Sequence, residues 1–214
     1  MIHHRKAIGS GAIEVVCGPM FSGKTEELIR RLRLAKIAKQ KVQIFKPAVD
    51  NRYETECITS HTEQKFACTP IREPKEILEQ LIDNTRVIGI DEVQFFSEEL
   101  VEVCEKLANR GLRVIVAGLD QDYLGQPFGP MPQLLAIADD AAKLKAVCMV
   151  CGGEATKSQR LTRETDQVVV GAEKHYEARC RSCFDPELEM SGLKMEAKVT
   201  QEGEWKASGG TASK

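Results

Sequence analysis

The sequence predicts an α/β fold in which a parallel sheet carries helices on both faces, with a small cysteine-rich unit after it. Four short apolar runs have the length and β-branched content of buried strands, at residues 12–17, 42–46, 86–90 and 112–118. Segments with a helical spacing of apolar residues separate them, and this alternation is typical of parallel strands joined by crossover helices. Beyond about residue 146 the alternation stops, and two cysteine pairs bracket the next segment.

The first predicted helix follows the strand at 12–17 and a glycine-rich turn. Four apolar side chains share one helical face, and these are Leu28, Ile29, Leu32 and Ala35. The strand at 42–46 should stop at Pro47, because proline has no backbone N–H to donate to a sheet. The polar residues 50–65 predict a loop, and residues 75–83 predict a helix.

A second long helix is predicted after the strand at 86–90. Ser97 is a plausible N-cap, and Glu98 and Glu99 would lie in the positive first turn. Gly111 is placed to close the helix before the strand at 112–118. The apolar stripe of this helix comprises Leu100, Val101, Cys104, Leu107 and Ala108. We expect Cys17 and Cys104 to be small buried hydrophobic residues, since each lies within an apolar pattern.

Composition argues against several partner classes. The 214 residues are 42% hydrophobic and 29% charged, with a net charge of −2, so no global charge favours nucleic acid or a membrane surface. No apolar run reaches the ~18 residues of a membrane span. The first ten residues lack the apolar core of a signal peptide. The expectation is a cytoplasmic protein with no nucleic-acid or membrane partner.

The glycine-rich turn has the sequence GPMFSGKT at 18–25, which fits the P-loop spacing G-x4-G-K-[ST]. It lies between a predicted strand and a predicted helix, which is the context that such a motif needs. Glycines allow backbone N–H groups to face phosphate oxygens, and the helix N-terminus adds a positive dipole. We predict that Lys24 reaches the β- and γ-phosphates of a nucleotide and that the Thr25 hydroxyl holds Mg²⁺.

An acidic pair, Asp91 and Glu92, ends the strand at 86–90. An acid at this place in P-loop enzymes binds Mg²⁺. Two adjacent acids suggest that Asp91 serves the metal and Glu92 serves as general base. The pair does not name the acceptor, because ATPases that activate water carry a similar pair.

The paired cysteines are Cys148 with Cys151 and Cys180 with Cys183. Four thiolates in two C-x2-C knuckles match the tetrahedral preference of Zn²⁺, and with four protein ligands no position remains for water. The sequence therefore predicts a structural zinc. The gap between the knuckles is longer than in a compact zinc ribbon, so a loop should be tied at its base.

These motifs leave a second reading open, a P-loop ATPase whose zinc module binds nucleic acid. The zinc site and the acidic pair support it, whereas the net charge and the lack of a basic stripe oppose it. Taken alone, the polar run Asp50–Arg52 is more easily explained as solvated loop than as a phosphate contact. The aromatic residues could stack on a base, although most aromatics in such folds belong to the core.

Several segments together resemble the zinc-containing thymidine kinases of bacteria and animal cytosol. They are GPMFSGKTEELIRRLR, IDEVQFF, AGLD followed by Tyr123 and PFGPMPQLLAIAD, AVCMVCG, and HYEARCRSCF. The resemblance runs from about Ala12 to Phe184. The Met-Phe inside the P-loop and the Gln-Phe-Phe after the acidic pair are more specific than general P-loop features.

The resemblance implies transfer of the ATP γ-phosphate to the 5′-hydroxyl of thymidine, with Glu92 as the base. The implied ATP and Mg²⁺ site comprises Gly18, Pro19, Met20, Phe21, Ser22, Gly23, Lys24, Thr25, Asp50, Asn51, Arg52, Asp91, Glu92, Val93 and Gln94. The implied thymidine site comprises Met20, Phe95, Leu119, Tyr123, Phe128, Gln167, Val168, Val169, Val170, Gly171 and Tyr176. The last six lie on a lasso loop that the zinc ties at its base.

The resemblance also sets expectations for organisation. A P-loop kinase domain should span 12–145 and a zinc-binding lasso domain 146–184, flanked by a flexible N-terminus at 1–11 and a disordered tail at 185–214. The family is commonly a homotetramer and is inhibited by its end product, dTTP.

Overall fold

The structure, a computed structural model, describes residues 11–48, 58–59, 65–162 and 175–186. The strands of its main part are β1 (Ala12–Cys17), β2 (Lys41–Pro47), β3 (Ile58–Thr59), β4 (Lys65–Phe66), β5 (Thr69–Ile71), β6 (Thr85–Ile90), β7 (Arg113–Gly118) and β8 (Asp140–Lys143). The helices are α1 (Lys24–Ile37), α2 (Glu76–Glu79), α3 (Glu99–Asn109) and α4 (Met131–Ile137), with a 3₁₀ turn at Val93–Phe95.

Six of these strands form one sheet in the order β5-β2-β6-β7-β1-β8. Every neighbouring pair in it is parallel, which confirms the predicted parallel α/β architecture. The four strands predicted from apolar runs are the four central strands. The two edge strands, β5 and β8, were not predicted.

Helix α1 covers one face of the sheet. Its predicted apolar stripe is buried, with Leu28 and Leu32 fully inaccessible to solvent, against the sheet residues Val16, Val87 and Ile115. Gly89 of β6 lies directly beneath Leu32, where a Cβ would come within 2.8 Å of the leucine Cδ1. This packing sets how closely α1, and with it the P-loop, approaches the sheet.

Helices α2, α3 and α4 cover the opposite face. Leu100, Cys104 and Leu107 of α3 are fully buried there, together with Met131 and Leu134 of α4 in the same cluster. The predicted α3 stripe is thus confirmed for its central positions, whereas its outer members Val101 and Ala108 are only partly buried. Cys17 and Cys104 are both fully buried thiols, as expected.

Three local predictions need correction. The helix expected over 75–83 is confined to Glu76–Glu79, because Gln43 accepts the Ile82 N–H at 2.8 Å and Asn84 adopts a left-handed backbone, which turns the chain into β6. The residue that caps α3 is Glu98, with no side-chain capping bond, and Ser97 contributes only its carbonyl, to the N–H of Leu100. The predicted loop at 50–65 contains an antiparallel pair, β3 with β4.

A smaller unit follows the sheet. It has four short strands, β9 (Ala146–Val147), β10 (Glu154–Ala155), β11 (Lys157–Arg160) and β12 (Tyr176–Arg179). β9 pairs with β10 and β11 with β12, both antiparallel. The β-rich run predicted at 167–170 lies outside the described residues, as do residues 1–10 and 187–214. Within the described ranges, no helix has the length and apolar character needed to cross a membrane.

Candidate active site

The P-loop connects β1 to α1 at the carboxyl end of the sheet. Gly18 has φ +146°, and a Cβ on it would lie 2.5 Å from the Leu144 carbonyl oxygen. Gly23 is left-handed, with φ +80°, and precedes the first residue of α1. Only glycine meets both demands without strain, so the two glycines of the motif are required by this backbone path.

Lys24 and Ser22 turn toward the loop itself. The Lys24 ammonium and the Ser22 hydroxyl each donate to the Pro19 carbonyl oxygen at 2.8 Å. Burial lowers the pKa of Lys24, whereas the Glu92 and Asp91 carboxylates act in the opposite direction. The ammonium is thus buried against the loop, with its charge favoured by the two carboxylates.

Asp91 follows β6 and is buried beside α1. Its carboxylate accepts the Thr25 hydroxyl at 3.1 Å and the Glu92 backbone N–H at 3.0 Å. Burial first, and then the charge of Glu92, raise the pKa of Asp91 to about 7. A hydroxyl and a buried carboxylate in contact beside a P-loop lysine are the oxygen donors that Mg²⁺ takes in nucleotide sites.

Glu92 differs from Asp91 in being exposed. Its backbone is left-handed, with φ +52°, an uncommon conformation for a residue with a side chain. The Gln94 side-chain amide donates to its carboxylate at 2.5 Å. The Glu92 carboxylate is thus both exposed and held by a hydrogen bond from Gln94.

The aromatic residues predicted for the pocket come from the 3₁₀ turn after β6, from the loop after β7 and from β12. Phe95 and Phe128 meet edge to face, with ring centroids 5.7 Å apart. Tyr123 lies on the loop after β7 and Tyr176 begins β12, so the two come from different parts of the fold. The Met20 N–H donates to the Ser158 hydroxyl at 2.9 Å, which ties the P-loop to β11.

Arg160 on β11 joins the two tyrosines and was missed by sequence reasoning. Its guanidinium lies 3.5 Å from the ring centroid of Tyr123 and donates to the Tyr176 hydroxyl from Nη2 at 2.7 Å and from Nε at 3.1 Å. Arg160 is only 6% exposed. No local motif marks it, although a polar strand sequence such as KSQR beside a zinc knuckle is a signal for buried polar contacts.

The whole of β11 is buried despite its polar sequence. Lys157 donates to Gln121 at 2.7 Å, and Ser158 and Arg160 make the contacts described above. The small unit is therefore joined to the sheet unit through side-chain hydrogen bonds and one stacked cation. Asp120, which pairs with Lys143 at 2.6 Å, is a further buried charge at this edge that the sequence did not indicate.

The four paired cysteines converge, with their sulfurs all within 4.8 Å of one another. The Sγ atoms of Cys151 and Cys180 are 3.7 Å apart, close to the ~3.8 Å sulfur separation of a tetrahedron with Zn–S bonds of ~2.3 Å. Backbone N–H groups, first that of Cys180, lower the pKa of the Cys148 thiol to about 6. The donor set suits a zinc ion.

Not all predicted site residues can be placed. Asp50, Asn51 and Arg52 lie outside the described residues, as do Gln167 through Gly171. The remaining predicted residues converge at the carboxyl end of β1, β6 and β7 or on the strand that packs over it. Lys24, the Thr25–Asp91 pair and the exposed Glu92 thus lie at one end of the sheet, beside the Phe95–Phe128 pair. Groups of these types are the ones that phosphoryl transfer to an organic acceptor needs.

Comparison with known proteins agrees with this geometry. The family model described as thymidine kinase matches residues 11–184. The chain is 57% identical over 176 residues to a thymidine kinase of Rhodothermus sp. (strain ITI 518), covering 82% of each chain. It is 50% identical over 192 residues to a thymidine kinase of Bdellovibrio bacteriovorus, covering 90% of this chain and 94% of that one. It is 51% identical over 182 residues to a thymidine kinase of Bacteroides thetaiotaomicron, covering 85% and 91%. These matches, together with the fold, show that the chain belongs to the thymidine kinase family.

Proposed function

We propose that this protein transfers the γ-phosphate of ATP to the 5′-hydroxyl of thymidine. The observation that carries the proposal is the convergence of Lys24, the Thr25–Asp91 pair and the exposed Glu92 at one end of the sheet. Kinase chemistry needs a cation at the transferring phosphoryl group, a metal position and a base at the acceptor. In this chain, these groups follow two parallel strands, β1 and β6, which are separated in the sheet by β7.

The P-loop residues 18–25 would enclose the ATP phosphates. Backbone N–H groups and the start of α1 favour the negative charge, and Lys24 exchanges its bond with the Pro19 carbonyl for the phosphates. Thr25 and Asp91 would hold Mg²⁺, which when bound neutralises charge on the β- and γ-phosphates. The neighbouring run Asp50–Arg52 is proposed to contribute a second cationic group to the same phosphates.

Glu92 is proposed to take the proton of the 5′-hydroxyl. Its exposure and its fixed orientation fit a group that must meet a substrate from the open side of the cleft. Asp91 is unsuited to this role, because it is buried and its carboxylate already accepts from Thr25 and from the Glu92 N–H. The different roles of Asp91 and Glu92 follow from their different environments, since both side chains are carboxylates.

The thymine ring is proposed to lie among Met20, Phe95, Leu119, Tyr123 and Phe128, under Tyr176 and the lasso residues 167–171. The edge-to-face pair of Phe95 and Phe128 supplies an apolar wall, as a methylated pyrimidine requires. The zinc is proposed to be structural, holding the base of the lasso. We further propose a cytoplasmic homotetramer that dTTP inhibits, which light scattering and inhibition assays would test.

A single assay tests the activity against the ATPase alternative. The protein is incubated with γ-labelled ATP and either thymidine, deoxycytidine or single-stranded DNA, and the products are separated. Labelled thymidine monophosphate is the expected product. Free phosphate stimulated by single-stranded DNA, without thymidine monophosphate, would overturn the proposal.

A matched pair of variants tests the base. Glu92→Gln should lower kcat by roughly 10²–10⁴-fold, because the amide cannot take a proton, while ATP binding persists. Glu99→Gln, an exposed glutamate at the start of α3, should retain wild-type turnover. Normal turnover in Glu92→Gln would remove Glu92 from the role of base.

A further inference from the structure

We infer that Gln94 is a positioning residue that holds the Glu92 carboxylate in the orientation needed for proton transfer. The inference rests on the proposed function, because it assigns Glu92 as the base. Gln94 Nε2 donates to Glu92 Oε2 at 2.5 Å, and Gln94 Oε1 accepts the Leu119 N–H at 3.0 Å. Gln94 is only 2% exposed, so its side chain is used entirely in these internal contacts.

The two partners fix the direction of the amide. The Glu92 carboxylate, when ionised, only accepts, and the Leu119 N–H only donates. A glutamine has one donor end and one acceptor end, so a single orientation of its amide satisfies both partners. The bond between Gln94 and Leu119 therefore anchors the NH₂ group that Glu92 meets.

The surrounding backbone leaves Gln94 little freedom. A Cβ on Gly118 would lie 2.6 Å from Gln94 Oε1, and a Cβ on Gly129 would lie 2.3 Å from the Gln94 carbonyl oxygen. Glycine at both positions allows the end of β7 and the chain before α4 to lie against this residue. Gln94 is thus held by rigid backbone on two sides, whereas the Glu92 side chain it contacts is exposed.

This arrangement solves a specific problem of Glu92. An exposed glutamate on a left-handed backbone has several side-chain rotamers open to it, and a misplacement of ~1 Å in a reacting group costs about 10²-fold in rate. A buried amide that donates to one carboxylate oxygen restricts these rotamers and leaves the other oxygen to face the substrate. Gln94 acts through Glu92 and has no need to contact the nucleoside itself.

The experiment compares Gln94→Met with Gln133→Met. Methionine keeps the side-chain length and removes both hydrogen bonds. Gln133 is an exposed residue of α4 that also donates to a glutamate, Glu98, at 3.2 Å. We expect Gln94→Met to lower kcat by 10–100-fold with the KM values for ATP and thymidine within about threefold of wild type. The control variant should match wild type.

A double-mutant cycle with Glu92→Gln makes the inference specific. If Gln94 works by orienting the base, Gln94→Met should lower kcat by less than about twofold in the Glu92→Gln background, measured by single turnover with labelled ATP. An equal loss in both backgrounds, or a loss confined to KM, would overturn the inference and assign Gln94 to ATP binding or to folding.

A second variant covers the case in which Gln94→Met does not fold. Gln94→Asn keeps the amide but shortens its reach by one methylene group, so it cannot bond Glu92 and Leu119 together. It should show the same fall in kcat and the same loss of effect in the Glu92→Gln background. Wild-type turnover in Gln94→Asn would refute the inference, whereas a wild-type protein unable to phosphorylate thymidine would instead refute the proposed function.

Discussion

Replacing Arg160 with methionine should loosen the contact between the small unit and the sheet unit. The loss of two of the contacts that the guanidinium makes with described residues can be estimated. Two of its hydrogen bonds go to the Tyr176 hydroxyl, and bonds from a charged donor contribute ~1.5–3 kcal/mol. Its position 3.5 Å from the Tyr123 centroid contributes about 2 kcal/mol for a desolvated cation over an aromatic ring.

Methionine recovers part of the lost free energy by packing on both rings. We therefore expect the free energy of unfolding to fall by roughly 2–4 kcal/mol. With a urea m-value of ~2 kcal/mol/M, the middle of the range for small proteins, the unfolding midpoint should fall by about 1–2 M when followed by circular dichroism. The KM for thymidine should rise more than kcat falls, because both tyrosines belong to the proposed nucleoside pocket. The urea midpoint and the thymidine KM of Arg160→Lys should lie between those of wild type and Arg160→Met. Lysine keeps the charge of arginine but lacks its planar guanidinium.

The control is Arg30→Met, an exposed arginine of α1 that pairs with Glu27. It should leave the urea midpoint and the thymidine KM unchanged. An unchanged midpoint together with an unchanged KM in Arg160→Met would show that the buried arginine does not hold the two units together, and the reasoning would fail.

Three further predictions address the phosphate site, the metal and the buried acid. Lys24→Ala should lower kcat at least ~10²-fold with an unchanged circular dichroism spectrum, because the ammonium stabilises charge on the transferring phosphoryl group; a folded, fully active variant would contradict this. Metal analysis should find one zinc per chain, and Cys180→Ser should lose it and weaken thymidine binding while the sheet stays folded; wild type purified in reducing buffer without zinc would contradict this. The pKa of Asp91 is raised to about 7. Between pH ~4 and pH ~7, Asp91 therefore keeps a proton in the folded state that it has lost in the unfolded state. As the pH rises from about 5 to about 8 without Mg²⁺ or nucleotide, the free energy of unfolding should therefore fall more steeply for wild type than for Asp91→Asn. Equal slopes for the two proteins would refute this.

How much of the fold could be predicted depended on where each strand lies in the sheet. β2, β6, β7 and β1 are central strands that are covered by helices on both faces, so their sequences are apolar runs that stand out. The edge strands are different. β8 has the sequence DAAK and β5 the sequence TPI, and neither has the length or the apolar content that a central position demands. Their pairing follows from the tertiary arrangement rather than from local propensity.

The candidate site also has parts that the sequence could predict and parts that it could not. Lys24, Asp91 and the cysteine pairs stand in contiguous motifs whose spacing is itself the chemical signal. The contacts of Gln94 with Leu119 and of Arg160 with Tyr123 join residues far apart in the chain. No spacing rule connects such residues, because their proximity exists only after β7 and β11 have been placed.

The pairing of β11 with β12 has a consequence for how substrate preference can change in this family. Leu161 donates to the His175 carbonyl at 2.8 Å, the strands pair in register from Arg160 with Tyr176, and the cysteine cluster lies at the far end of the same hairpin. The described residues on either side of 163–174, Leu161 and His175, are thus joined to each other directly. Since lengthening a closed loop costs little further entropy, we expect insertions and replacements between these two residues to leave the P-loop and the sheet folded. Because residues 167–171 are proposed to contact the nucleoside, we expect exchange of this segment between relatives to change nucleoside preference while the P-loop and the acidic pair stay unaltered.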